Sequence, residues 1–164
     1  MLDSPPEMVF TGRDSLGARE WGGKVSRENS VPARILIVDD EPETVRILAV
    51  MLGMKGYDVV KAFRGLQALE IIARQPPDLV LLDVMLPDVD GIGVLRRLRS
   101  APATRDLPVL LISARSSDEA IGAAMAVGAT DYIVKPFNRT DLFQRVAVAL
   151  RRVGKEPATG GSLP

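Results

Sequence analysis

Asp78-Leu79-Val80-Leu81-Leu82-Asp83-Val84-Met85-Leu86-Pro87-Asp88-Val89-Asp90-Gly91 decides how this chain folds. A short unbroken apolar run ends in a carboxylate, and a loop with proline and glycine follows. A run without alternation reads as a strand buried on both faces, as strands of a parallel sheet are. Asp83 then stands where the strand leaves the core, at the carboxyl edge where open α/β sheets keep their ligands. Ile35-Leu36-Ile37-Val38-Asp39-Asp40 repeats the pattern. Three carboxylates at two strand ends repel one another and call for a cation or a proton.

Strand and helix signals alternate on both sides of this stretch. Ile35 to Val38 is the first strand. Val45, Leu48, Ala49 and Leu52 recur at helical spacing, with Pro42 in the first-turn position and Gly56 just past the end. Tyr57 to Lys61 alternates like a half-exposed edge strand. A helix carrying Leu66, Leu69 and Ala73 follows and is closed by Pro76-Pro77. Gly91 opens the third helix, with Val94, Leu95 and Leu98 inward and Arg96, Arg97 and Arg99 solvated. Pro108 to Ile112 is a buried strand ending at Ser113. Ile121, Ala124, Met125 and Gly128 share one face of a small-residue helix. Tyr132-Ile133-Val134 is a short last strand ahead of Lys135-Pro136-Phe137, and the last helix aligns Leu142, Val146, Ala149 and Val153. These strand–helix units, each with a right-handed crossover covering a face, predict a doubly wound α/β fold on a five-stranded parallel sheet.

The expected organisation is a disordered leader over 1–32, a folded domain over 33–153 and a disordered polar tail over 154–164. The leader is rich in proline and glycine, has no sustained periodicity, and carries Phe10 and Trp21 as isolated aromatics.

Composition excludes several classes. The 164 residues are 46% hydrophobic but only 4% aromatic, so the core is aliphatic. Lysine plus arginine and aspartate plus glutamate stand at 21 each, which argues against direct nucleic-acid or anionic-membrane binding. With no cysteine there are no disulfides or thiolate metal sites, which suits the cytoplasm. No apolar run approaches the roughly 18 residues of a membrane span, and no signal pattern opens the chain. With no histidine the chain carries no phosphohistidine, imidazole ligand or triad. Its chemistry is left to carboxylates, hydroxyls and lysine.

Asp39-Asp40, Asp83, Ser113-Ala114, Tyr132 and Lys135-Pro136-Phe137 each stand at a strand end, in this order. Together they make residues 33–153 resemble the receiver domain of two-component response regulators. The resemblance implies a flavodoxin-like sheet of order 2-1-3-4-5, which gathers the ends of strands one, three, four and five around Asp83. A carboxylate cluster without nitrogen or sulfur donors is a hard-oxygen site suited to Mg2+ or Mn2+. Asp40 and Asp83 are the expected direct ligands and Asp39 acts through a water; the family pattern adds the Met85 backbone carbonyl. Asp83 is the expected nucleophile and phosphoacceptor, with Lys135 and Ser113 as partners for phosphoryl oxygens. The backbone N–H groups of Val84 and Ala114 complete the expected phosphate cradle. Ser113 and Tyr132 match the family's switch pair, in which Tyr132 turns into the space that Ser113 vacates.

The implied function is a switch that takes a phosphoryl group from a histidine kinase or histidine phosphotransfer protein and signals to a downstream protein partner. It catalyses its own phosphorylation and dephosphorylation and is otherwise not an enzyme. Met85 and Arg115, two residues after Asp83 and Ser113, are bulky enough to slow an attacking water, so a long-lived phosphoryl state is expected. The short tail suggests a stand-alone receiver or phosphorelay intermediate, while the Arg151-Arg152 end leaves open a fragment of a larger regulator with a DNA-binding or enzymatic output domain. A phosphorylation-dependent homodimer through helix four, strand five and helix five is a further expectation, with Asp131, Asp141 and Arg145 as candidate cross-pairs. The competing readings are a pseudo-receiver working as a constitutive interaction surface and a haloacid-dehalogenase-type phosphatase. The second wants an aspartate where Met85 stands, and Asp39-Asp40-Glu41 would repel the phosphate of a flavin.

Overall fold

Each apolar run becomes a strand, and a helix follows every one. The computed structural model describes residues 31–157; Phe10, Trp21 and the rest of the expected leader up to residue 30 lie outside the described residues, as do 158–164. The order is β1 (Arg34–Val38), α1 (Pro42–Met54), β2 (Asp58–Ala62), α2 (Gly65–Arg74), β3 (Leu79–Asp83), α3 (Gly91–Ser100), β4 (Val109–Ser113), α4 (Asp118–Val127), β5 (Asp131–Val134) and α5 (Arg139–Arg152). All strand pairs are parallel and the order is β2-β1-β3-β4-β5, as the resemblance implied.

Register places the chemistry. Val38 pairs with Leu82, Asp83 with Ile112, and Ser113 with Val134. The residues that follow β1 and β5 therefore meet the last residues of β3 and β4 on one edge. Alternate residues of the inner strands face opposite layers. Ile35, Ile37, Leu79 and Leu81 pack with Val45, Leu48 and Leu52 of α1 and with Leu142, Val146 and Leu150 of α5. Leu36, Val38, Val80 and Leu82 pack with α2, α3 and α4. β3 and β4 are buried throughout, whereas β2 is a partly exposed edge, as its alternation predicted.

The helix faces differ from the sequence reading at four places. In α2 the buried residues are Gly65, Ala68 and Ile72, while Leu66 is 49% exposed. The helix lies so close to the β3–α3 loop that a Cβ at Gly65 would stand 2.6 Å from the Val89 carbonyl oxygen, so its inward line must be small. Arg99 is not solvated like Arg96 and Arg97. Its Nε donates to the Gly128 carbonyl at 2.9 Å and its Nη1 to the Leu107 carbonyl at 2.8 Å, tying α3 to the end of α4. Gly128 is that helix's C-cap at φ 108, a left-handed conformation that glycine adopts without penalty. On α4 itself Ala124 is buried but Met125 is exposed. In α5 the fourth buried position is Leu150, because Val153 lies past the last helical residue and is exposed.

The expected tail also begins later than 154. The Gly154 N–H donates to the Arg151 carbonyl at 3.0 Å, and Lys155 Nζ pairs with Asp78 at 3.2 Å. Among the described residues no helix is long and apolar enough to cross a membrane.

Candidate functional site

The carboxyl edge gathers the candidates. Asp83 is the last residue of β3 and Asp39 the first after β1; both are buried, while Asp40 is exposed. One carboxylate oxygen from each lies within 4.8 Å of the others. Lys135, the first residue after β5, places Nζ 3.0 Å from Asp39 Oδ2 and 3.1 Å from Asp83 Oδ2. The Lys135–Pro136 peptide bond is cis.

Side-chain oxygens turn the backbone at three strand ends. Asp39 Oδ1 accepts from the Glu41 N–H at 2.9 Å, Asp83 Oδ1 from the Met85 N–H at 3.0 Å, and Ser113 Oγ from the Arg115 N–H at 3.1 Å. Each is an oxygen at position i taking the amide at i+2, the local turn that Asp and Ser favour. This leaves one oxygen of each aspartate for Lys135. It also changes one expectation. The Val84 N–H donates to the Ile112 carbonyl at 3.2 Å, continuing the ladder, so the amide facing the Asp83 carboxylate is that of Met85. The Ala114 N–H, at the exposed end of β4, has no protein acceptor among the described residues.

Electrostatics follow from this packing. Burial pushes the Asp83 carboxyl above its usual range; the Met85 N–H and Lys135 counter part of that rise, and the neighbouring Asp39 adds to it. Burial works against the Lys135 ammonium, but its hydrogen bonds to Asp39 and Asp83 outweigh that and hold its pKa above normal. One ammonium among three carboxylates leaves the cluster short of positive charge. All donors are oxygens, with no histidine or cysteine in the chain, and the exposed Asp40 leaves the cluster open to solvent. This donor set fits a hard divalent cation.

Behind the cluster, Ser113 is fully buried and Tyr132 is 7% exposed. The Tyr132 hydroxyl donates to the Arg115 carbonyl at 2.8 Å, so it is not the water-facing group of an amphipathic strand. One residue, Arg115, thus touches Ser113 through its backbone N–H and Tyr132 through its backbone carbonyl oxygen. Arg145 pairs with Asp131 at 2.8 Å and with Asp141 at 2.9 Å. The three charges considered for a dimer contact are therefore matched within the chain.

Sequence reasoning missed two participants. The Met85 amide was legible in principle, since an aspartate at a strand end commonly takes the amide two residues on. Asp88 stands in the proline- and glycine-containing loop after β3, yet its oxygens accept from the Gly65 and Leu66 N–H groups, both at 2.9 Å. No local signal marks a bond across that separation.

Comparison with known proteins agrees with this geometry. The model of the response regulator receiver domain matches residues 35–147. The regulator RpaA of Synechocystis, named as a DNA-binding dual master transcriptional regulator, is 40% identical over 124 residues, covering 76% of this chain and 52% of its own length. The phosphate regulon transcriptional regulatory protein PhoB of Pseudomonas aeruginosa is 42% identical over 120 residues, covering 73% and 52%. The chain thus spans about half the length of the curated relatives it matches. Among solved structures, a response regulator from Chloroflexus aurantiacus superposes with a TM-score of 0.72 at 38% identity, covering 74% of this chain and all of its own. The BeF3-activated N-terminal receiver domain of Klebsiella pneumoniae RstA gives 0.67 at 40% identity, covering 72% of this chain and 98% of its own.

Proposed function

The chain belongs to the response regulator receiver family, and on that premise we propose that Asp83 is its phosphoacceptor. The observation that carries this reading is the Lys135 ammonium held between Asp39 and Asp83, at the edge where β1, β3 and β5 converge. The donor is a phosphohistidine on a histidine kinase or histidine phosphotransfer protein. An Asp83 carboxylate oxygen attacks phosphorus, a P–O bond forms as the P–N bond breaks, and the imidazole leaves with the electron pair and takes up a proton. Most of the catalysis is positioning and charge neutralisation. Lys135 exchanges its Asp83 contact for a phosphoryl oxygen, the Ser113 hydroxyl donates to a second, and the Met85 and Ala114 amides are placed to serve the third.

Asp39, Asp40 and Asp83, with the Met85 carbonyl, would hold Mg2+ or Mn2+. Such an ion supplies the positive charge that this cluster lacks.

The signal leaves through the Arg115 backbone. When the Ser113 hydroxyl turns to the phosphoryl group, the Arg115 N–H loses its acceptor and the two peptide units that flank Arg115 shift. The Tyr132 hydroxyl, bonded to the Arg115 oxygen, and α4 then adjust. Phosphorylation need only bias two arrangements by differential contacts. A downstream protein partner reads the surface of α4, β5 and α5, in the cytoplasm. This reading includes no membrane or direct nucleic-acid contact, and no separate enzymatic activity beyond the chain's own phosphorylation and dephosphorylation.

The test is the intact mass of wild type and Asp83→Asn after incubation with Mg2+ and acetyl phosphate. A gain of about 80 Da, one phosphoryl group, in the wild type alone is expected. No gain in the wild type, or the same gain in Asp83→Asn, would overturn the assignment.

A further inference from the structure

We propose that Asp88 is a positioning residue for the phosphoacceptor loop: by capping α2 from across the fold, it holds Met85 at Asp83. Its bearing on metal binding rests on the reading of Asp83 just given; the placement of Met85 does not.

The first turn of any helix has amides with no partner inside the helix. α2 supplies none for itself, since its N-cap is Arg64, whose side chain makes no cap hydrogen bond. Asp88 instead spends one oxygen on the Gly65 amide and the other on the Leu66 amide, each at 2.9 Å. The Leu66 N–H is the largest influence holding the Asp88 carboxyl down at about 2, so this cap stays charged at any ordinary pH.

A second observation points the same way. Gly65 lets α2 come within reach of the loop, because a Cβ there would press on the Val89 carbonyl oxygen and on Val94. At the far end of the loop the Gly91 N–H donates to the Val84 carbonyl at 2.9 Å, and a Cβ on Gly91 would fall against the Asp83 carbonyl oxygen. The loop is thus pinched at its base and clamped to α2 near its middle. Met85 gains little from its own side chain, which is 56% exposed. Leu86 and Val89 pack partly against the core, but that packing has no direction. The paired hydrogen bonds of Asp88 do, and they set the path along which the Met85 N–H reaches Asp83 Oδ1.

The experiment compares the wild-type 164-residue chain with Asp88→Ala, Asp88→Asn and Ser117→Ala. The last removes a comparable cap from α4, where Ser117 Oγ accepts from the Ala120 N–H. Two quantities are read: hydrogen exchange at the Met85 amide by NMR, and Mn2+ affinity by electron paramagnetic resonance titration. Asp88→Ala should speed Met85 exchange roughly five- to tenfold, the effect of losing a cap, and weaken Mn2+ binding roughly tenfold, as loss of an outer-shell support does. Asp88→Asn, which keeps an acceptor oxygen, should recover part of both and stands in should the alanine variant not fold. Ser117→Ala should change neither. Met85 exchange unchanged in the Asp88 variants, or raised equally by Ser117→Ala, overturns the proposal. A wild type that binds no Mn2+ overturns the metal reading instead and leaves Met85 exchange to decide on Asp88.

Discussion

α4 and α5 flank the same edge strand and are held to it in different ways. Successive residues of β5 face opposite layers: Ile133 meets the α5 side and Tyr132 the α4 side. α5 buries Leu142, Val146, Ala149 and Leu150, and Arg145 ties it to Asp131 of β5. α4 buries Ala124 alone, with Ile121 and Val127 packed only in part. Full burial of a Leu or Val side chain is worth about 1.5–3 kcal/mol, and an alanine offers much less. The two helices are therefore a fixed support and a weakly adhering cover. The cover sits next to the Arg115 backbone, where a small displacement has little packing to oppose it. At its far end the Arg99 bond to the Gly128 carbonyl gives α4 a tether.

The sharpest way to break this contrast is to damage both helices. Leu142→Ala should cost about 2–5 kcal/mol of unfolding free energy in denaturant titration, since a fully buried leucine is lost. Ala124→Gly should cost about 1 kcal/mol, mostly backbone entropy. Equal costs would mean that α4 is held as firmly as α5. Native-state hydrogen exchange comes next: α4 amides should open at a free energy about 2 kcal/mol below those of α5. If both exchange only through global unfolding, α4 is no separate unit. The smallest effect belongs to Tyr132→Phe, which deletes the hydroxyl bond to the Arg115 carbonyl and keeps the buried ring. About 1 kcal/mol should go, and exchange should quicken over 114–127 and not in α5. A uniform change across the domain would mean that Tyr132 does not couple to α4 in particular.

The sheet was readable because strands buried on both faces spell themselves as apolar runs, and a carboxylate closing such a run is conspicuous. Asp39, Asp83 and Lys135 were legible for the same reason: each marks the residue where a strand meets the edge. What escaped depends on neighbours that sequence spacing does not show. Leucines weigh most in any reading of an amphipathic helix, yet α2 turns Gly65 and Ala68 inward because the β3–α3 loop lies against it. Arg99 reads as one more solvated arginine until the Gly128 and Leu107 carbonyls come within reach of its fork. Val84 rather than Met85 was the natural guess for the amide at Asp83, because the extra ladder bond to Ile112 exists only once β4 is beside it.

The position of β1 inside the sheet also governs how the molecule comes into being. Ile35 pairs with Leu79, and the layer over Ile35, Ile37, Leu79 and Leu81 is finished only by Leu142, Val146 and Leu150 of the last helix. Among the described residues no hairpin exists to fold early, since every strand contact spans a helix and is non-local. A chain leaving the ribosome must keep two of its most apolar runs incompletely covered until α5 has emerged. Such runs are the species that self-associate or engage holding chaperones during synthesis. The helix that holds the β5 edge more firmly than α4 does is thus the one whose late arrival sets how long the newborn chain is at risk.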